Sequence, residues 1–193
     1  MPKQQLLPSS EYRILVLGDK AVGKTSLIAR YVRNEFPYQK RLHINSDNST
    51  IYQTIIDGTD YTFIFCDIST ISEFEKLKLS DTIPTACLIL FSITDEKSFT
   101  QLNFFYETIR LKFSNQSLHV PILIVANKID LEHDRAVKQE SIDKLKSSGF
   151  DVYDISIKGN VGIGDVIYTA VKHLQYDILE KIKPDTVCAC IIT

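Results

Sequence analysis

The sequence contains no apolar run near the roughly 20 residues that a membrane-spanning helix needs, and no apolar signal-peptide core. Pro2 stands where N-myristoylation requires glycine, which excludes that modification. The formal net charge is only −2 and no long basic run is present, so the chain lacks the charge pattern typical of nucleic-acid binding. The 193 residues, 44% of them apolar, suffice for one compact domain with a sizeable core.

Cysteine is scarce, and its placement does not indicate a metal site. Cys66 and Cys87 lie inside apolar, strand-like runs, where a free cysteine usually packs as a small buried hydrophobe. The four histidines are scattered, and none has metal-ligand spacing to a cysteine. The simplest interpretation is a reduced, cytosolic protein.

Apolar patterning alternates between strands and helices. Short buried or alternating runs over residues 12–17, 51–56, 61–66, 86–91, 120–126 and 152–155 predict six strands. Helical spacing predicts helices over residues 25–33, 102–113 and 137–146, and a last helix from 163 to just before Pro184. Asp57-Gly58 between two alternating runs predicts a hairpin, so one strand is antiparallel. The expected fold is an α/β sheet with its ligand site at the carboxyl ends of the strands.

A phosphate-binding loop follows the first strand. The segment matches the G-x-x-x-x-G-K-[ST] pattern, in which glycines let backbone N–H groups wrap around phosphates at a helix N-terminus. We expect Lys24 to reach the β- and γ-phosphates and the Thr25 hydroxyl to bind Mg²⁺. The predicted phosphate-binding residues are Gly18, Asp19, Lys20, Ala21, Val22, Gly23, Lys24, Thr25 and Ser26.

A second motif, Asn127-Lys128-Ile129-Asp130, directly follows a buried strand. This motif indicates which nucleobase is bound. The Asp130 carboxylate can accept hydrogen bonds from N1–H and the exocyclic amino group of guanine. Adenine offers neither, and an unpaired polar group at such a site costs about 1–3 kcal/mol. The combination therefore predicts a guanine nucleotide.

Together these motifs resemble the Ras-superfamily small GTPases over residues 12 to about 182. The resemblance implies a P-loop NTPase G domain over residues 11–183, with a mostly parallel six-stranded sheet, one antiparallel strand and helices on both faces. Residues 1–10 form a flexible lead and 184–193 a tail. It also implies that Asn127 and Asp130 contact guanine, that Lys128 packs over the base, and that GTP or GDP binds with Mg²⁺.

The resemblance implies two further elements around the base. Residues 154–158 are similar to the family's third base-binding loop, with Ile157 replacing an alanine whose backbone N–H contacts guanine. Ser156 and Lys158 complete that loop. Phe36 stands where the family places an aromatic ring against the base, although a core anchor is an equal alternative.

The chain departs from the family after the hairpin. Asp67 is retained and is expected to hold Mg²⁺, usually through water. Thr70 replaces a glycine whose N–H senses the γ-phosphate, and a β-branched residue lacks the freedom of glycine in φ. Ile71 replaces the glutamine that orients the attacking water. Because isoleucine has no donor or acceptor, no catalytic residue is assigned, and removing such a contact typically costs about 10²–10³ in rate.

The loop before the hairpin also differs. The family's threonine that completes the Mg²⁺ shell has no clear counterpart: a direct count gives His43, and the candidates to replace it remain open. They are Asn45, Ser46, Ser49 and Thr50.

The tail ends in Cys190-Ile191-Ile192-Thr193, which fits the C-a-a-X prenylation pattern except that threonine is an unusual last residue. Cys188 is a candidate for palmitoylation, the second signal that stable anchoring requires.

The leading hypothesis is a monomeric GDP/GTP switch in membrane traffic or signalling, anchored by lipid to the cytosolic face of a membrane. As a GTP hydrolase it would be slow, and its partners would be effectors, exchange factors and activating proteins. The alternative is a pseudoGTPase scaffold that holds guanine nucleotide as a structural cofactor. The segments 30–36 and 91–94 favour a Rab-like or Ras-like branch.

Overall fold

The computed structural model describes residues 11–34, 49–56, 59–80, 82–114 and 120–182, with the side chains of residues 56 and 177–182 excepted. Strands and helices alternate along these residues, as expected. The strands are β1 (Glu11–Gly18), β2 (Ser49–Ile56), β3 (Thr59–Asp67), β4 (Thr85–Ser92), β5 (Ile122–Asn127) and β6 (Val152–Ile155). The helices are α1 (Lys24–Arg33), α2 (Ile71–Lys76), α3 (Glu96–Thr100), α4 (Leu102–Phe113), α5 (Gln139–Ser147) and α6 (Ile163–Ile182), with a 3₁₀ segment over Ile129–Asp134.

The six strands form one sheet in the order β2-β3-β1-β4-β5-β6. Every neighbouring pair is parallel except β2 with β3, which pair antiparallel from Ser49 opposite Cys66 to Ile56 opposite Thr59. The predicted fold class is therefore confirmed, including its one antiparallel strand. The Asp57-Gly58 dipeptide lies outside the described residues.

Two apolar cores cover the two faces of the sheet, because successive side chains of a strand point to opposite sides. In β1, Ile14 and Val16 join α1 and α6 in one core, whereas Leu15 and Leu17 join α2, α4 and α5 in the other. This arrangement explains why the central strands read as continuous apolar runs: both of their faces are buried.

The sheet brings the predicted site together at one edge. β1 ends at Gly18, β3 at Asp67 and β5 at Asn127, and the parallel register places these ends side by side. Loops that leave these ends therefore surround a common crevice. Several details differ from the sequence prediction: β2 begins earlier, at Ser49, β5 begins later, at Ile122, and the short helices α2 and α3 and the 3₁₀ segment were not predicted.

Candidate nucleotide-binding site

The loop between β1 and α1 requires glycine at both ends of its motif. Gly18 has φ 142°, and a Cβ there would lie 2.3 Å from the carbonyl oxygen of Leu90. Gly23 has φ 110°, and its Cβ would lie 2.5 Å from Nδ2 of Asn127. Both values are far below any real contact, so this loop packs too closely on β4 and β5 for a side chain at either position.

Lys24 lies inside the loop that it follows. Its Nζ donates to the carbonyl oxygens of Gly18 at 3.0 Å and Asp19 at 2.7 Å, and the residue is only 6% exposed. Burial lowers the pKa of Lys24, while the nearby carboxylates of Asp67, Asp19 and Glu73 act in the opposite direction. A buried ammonium with only carbonyl partners is suited to an anion, as the prediction of phosphate binding requires.

Thr25 and Asp67 meet where a metal ion was predicted. The Thr25 hydroxyl donates to Oδ2 of Asp67, and Oδ1 of Asp67 is buried without a hydrogen-bond partner among the described residues. A carboxylate oxygen left unpaired in a buried site costs free energy unless a cation or water takes it. Within the described residues no group of three or more His, Cys, Asp or Glu forms a metal cage. The oxygen pair therefore fits Mg²⁺, which prefers a few protein oxygens completed by water and phosphate.

Asn127 links the phosphate loop to the loop after β6. Its Nδ2 donates to the carbonyl oxygen of Val22 at 2.7 Å, and its Oδ1 accepts from the backbone N–H of Ile157 at 3.3 Å. The side chain is 3% exposed, so both hydrogen bonds are shielded from water. Asn127 thus fixes the distance between the two loops; its predicted contact with guanine stays a prediction.

Asp130 is oriented by a neighbouring serine. The Ser156 hydroxyl donates to Oδ1 of Asp130 at 2.6 Å and accepts from the N–H of Gly159 at 2.8 Å. This arrangement orients the Asp130 carboxylate and leaves its other oxygen able to accept from a base. Lys128, next to it, adopts a left-handed conformation with φ 71°. The side chain of Ile157, where the family resemblance has a smaller residue, is buried in the core.

Two adjoining cavities are lined by many of the predicted residues. One, of about 310 Å³, is lined by Ala21, Gly23, Ser26, Asn127, Lys128, Asp130, Leu131, Ile157 and Lys158. The second, of about 280 Å³, is lined by Lys20, Ala21, Gly23, Lys24, Thr25, Ser26 and Ser69. The two share Ala21, Gly23 and Ser26, so they adjoin; together we call them the trench, with Asp130 at the base end and Lys24 and Ser69 at the phosphate end.

Comparison with known proteins agrees with this geometry. The model of the Ras family matches residues 13–176, which is most of the chain. The chain belongs to the Ras family of small GTPases. It is 29% identical over 178 residues to Ras-like protein rasZ of Dictyostelium discoideum, covering 89% of this chain and 80% of that protein. It is 31% identical over 188 residues to Ras-related protein Rab-13 of Bos taurus, covering 88% and 81%.

One site residue of this Ras-family chain was missed by the sequence analysis. Arg30, on α1, donates from Nε to the carbonyl oxygen of Ile157 and from Nη2 to that of Lys158, both at 3.1 Å. It therefore holds the loop that lies beside the predicted base. The contact joins residues 127 and 128 positions apart, and no local pattern signals a pairing over that distance.

The segment after Asp67 begins a regular helix, although its sequence diverges from that of the family. Thr70 caps α2: its hydroxyl accepts from the N–H of Glu73 at 3.2 Å. In return, Oε2 of Glu73 accepts from the N–H of Ser69 at 2.9 Å and of Thr70 at 3.3 Å. This is a capping box, and Thr70-x-x-Glu73 is the sequence signature from which it could have been predicted. Glu73 was the second site residue that the sequence analysis missed.

Ile71, which the family resemblance aligns with a glutamine, begins α2. Its side chain is partly buried and packs against the second core, which also contains Phe74. Ile71 therefore anchors α2 to the second core.

Several predicted residues lie outside the described part of the chain: Phe36, His43, Asn45, Ser46, Cys188 and Cys190. Ser49 and Thr50, the other metal candidates, belong to β2 and are buried. Across the described ranges, no helix combines the length and apolarity needed to cross a membrane.

Proposed function

We propose that this protein is a guanine-nucleotide switch that binds GDP and GTP with Mg²⁺ and hydrolyses GTP slowly. The observation that supports it most is the pair of adjoining cavities that make up the trench. One end presents the Asp130 carboxylate and the other the Lys24 ammonium. Membership of the Ras family supports a switch role, and the comparisons give no support to the scaffold alternative.

Each end of the trench has a distinct binding task. Asp130 accepts from the guanine N1–H and amino group, and Asn127 holds the loops that flank the base. At the other end, Lys24 and the backbone N–H groups of the phosphate loop neutralise and orient the phosphates. Positioning the phosphates in this way is most of what a protein contributes to phosphoryl transfer.

Thr25 and Asp67 would hold Mg²⁺ beside the phosphates, where a divalent cation neutralises charge that develops on their oxygens. The support is the unpaired, buried Oδ1 of Asp67 next to the Thr25 hydroxyl. These two residues supply hard oxygen ligands, and phosphate and water would complete the octahedral shell.

Slow hydrolysis is supported by the surroundings of Ile71. Its side chain has no polar atom and packs on the core, so it cannot orient a water molecule. Under this proposal the GTP state persists until a partner protein supplies the missing contact. Single-turnover hydrolysis of bound GTP with and without cell extract tests this, and rapid conversion by the isolated protein would contradict it.

The tail supports attachment to the cytosolic face of a membrane through a lipid on Cys190, with Cys188 as a second acceptor. Effectors, exchange factors and activating proteins would then meet the switch at that surface. Mass analysis of the chain isolated from eukaryotic cells tests the anchor; an intact, unmodified C-terminus would refute it.

The central experiment compares GDP and ADP affinities of the purified protein in Mg²⁺ with those of Asp130→Ala. We expect the native protein to prefer GDP at least about 100-fold, since ADP leaves the carboxylate unpaired and mismatched. The variant should lose most of that preference. Glu132→Ala, which removes an exposed carboxylate of the same 3₁₀ segment outside the trench, is the matched control. Equal affinity of the native protein for GDP and ADP would refute the proposal.

A further inference from the structure

Glu73 is hydrogen-bonded to Ser69, a residue that lines the phosphate end of the trench. Ser69 lines the phosphate cavity together with Lys20 and Lys24. Oε2 of Glu73 is bound to the N–H of Ser69 at 2.9 Å and of Thr70 at 3.3 Å, so its carboxylate is fixed against this wall. The reciprocal bond from the N–H of Glu73 to the Thr70 hydroxyl, at 3.2 Å, holds both residues in place.

The direction of the trench determines which phosphate approaches this wall. The base end is set by Asp130, and the shared residues Ala21, Gly23 and Ser26 form the middle. A nucleotide that is anchored at Asp130 therefore extends toward Ser69. Its last phosphate, which a triphosphate has and a diphosphate lacks, comes nearest to the segment that Glu73 stabilises.

The charge of Glu73 reaches this part of the site. Burial lowers the pKa of Lys24, and the carboxylates of Asp67, Asp19 and Glu73 each act to raise it. Of the three, Asp67 accepts from Thr25, and Asp19 accepts from the N–H of Lys20 at 2.7 Å. Glu73 is the one held by the segment at the far end of the trench.

We propose that Glu73 is a specificity-determining residue, which makes the site favour a nucleoside diphosphate over the corresponding triphosphate. The inference rests on the proposed function and deepens it. Like charges repel, so a terminal phosphate raises the free energy of a carboxylate fixed nearby, while a diphosphate stops short of it. A triphosphate is accommodated when Glu73 leaves Ser69 and Thr70, which opens the capping box at the start of α2. The identity of the nucleotide is thus coupled to the N-terminus of α2 through Glu73.

The experiment measures the dissociation constants of GDP and GTP in Mg²⁺ for the native protein, Glu73→Gln and Glu75→Gln. Glutamine keeps the acceptor of the capping box and removes only the charge. Glu75 is exposed on the same helix and is not a member of the capping box, so its variant controls for net charge. We expect Glu73→Gln to improve the affinity for GTP relative to GDP by about three- to tenfold, the range for one partly exposed charge. Glu75→Gln should leave the ratio within about twofold of the native value.

Other outcomes overturn the inference. An unchanged ratio in Glu73→Gln, or an equal change in Glu75→Gln, would show that the Glu73 carboxylate does not select against the terminal phosphate. Glu73→Ala guards against a folding defect in the glutamine variant, because it also removes the charge and should shift the ratio in the same direction. A shift in the alanine variant alone would assign the effect to the cap rather than to the charge, which contradicts the proposal. A native protein that binds neither nucleotide would instead refute the proposed function.

Discussion

Replacing Arg30 by methionine should accelerate release of the nucleotide. The guanidinium donates to the carbonyl oxygens of Ile157 and Lys158 at 3.1 Å, and from Nη1 to the backbone and side chain of Asn34 at 3.2 and 3.3 Å. Methionine retains the apolar stem and a similar helix propensity. The change therefore removes the support of the base-flanking loop with little effect on α1 itself.

The magnitude follows from the two bonds to the base-flanking loop. A hydrogen bond from a charged donor contributes about 1.5–3 kcal/mol when shielded. Here the Nε bond to Ile157 is partly buried, whereas the Nη2 bond to Lys158 is exposed and water can replace it. We expect a combined loss of about 1–1.5 kcal/mol in loop positioning, which corresponds to roughly five- to tenfold faster dissociation of GDP. The unfolding midpoint should fall by about 2–5 °C for a domain of this size.

The assay follows release of a fluorescent GDP analogue in excess unlabelled GDP, with thermal unfolding of the same preparations. Arg33→Met is the matched control, because it removes the same charge from the same helix about one turn further along. A dissociation rate within twofold of the native value in Arg30→Met would refute the argument that this residue positions the loop.

Two other predictions follow from the same contacts. Ile71→Gln should reduce the free energy of unfolding by about 1–2 kcal/mol, since it places an amide against the core. Because the side chain at this position packs on the second core and does not line the phosphate cavity, a glutamine there should not reach the attacking water and should leave single-turnover GTP hydrolysis unchanged. Ser72→Gln, at an exposed neighbour, is its control, and a gain of about 100-fold in hydrolysis would contradict the expectation. Gly23→Ala should cost about 2–4 kcal/mol by urea unfolding, because strain in φ and the approach to Asn127 add. Gly149→Ala, with φ 87° and open space, should cost only about 1 kcal/mol; equal losses would show that the close approach is not costly.

The fold was predictable because its signals are local and repeated. The central strands are apolar on both faces, and α1, α4 and α6 carry apolar stripes at helical spacing. The two nucleotide motifs were predictable for a related reason: each directly follows a strand, so the sheet alone places them at one edge.

The rest of the site depends on contacts that sequence patterns do not encode. Arg30 reaches a loop more than 120 residues away, and Asn127 bonds to Val22 across 105 residues. The helix α2 has six residues, too few to show a helical period. Only its capping box, Thr70-x-x-Glu73, is a local signal of a helix start.

Asn127 limits how the nucleobase preference of this protein can be redesigned. One amide group joins the phosphate loop, through Val22, to the loop that flanks the base, through the N–H of Ile157. An attempt to alter the preferred nucleobase by changing Asn127 would loosen both loops together and weaken retention of every nucleotide. Redesign of the preferred base should therefore proceed through Asp130, whose described side-chain bond is to Ser156 within the base region. We therefore expect that changes at Asp130 can alter the nucleobase preference without loss of nucleotide retention, whereas changes at Asn127 alter both together.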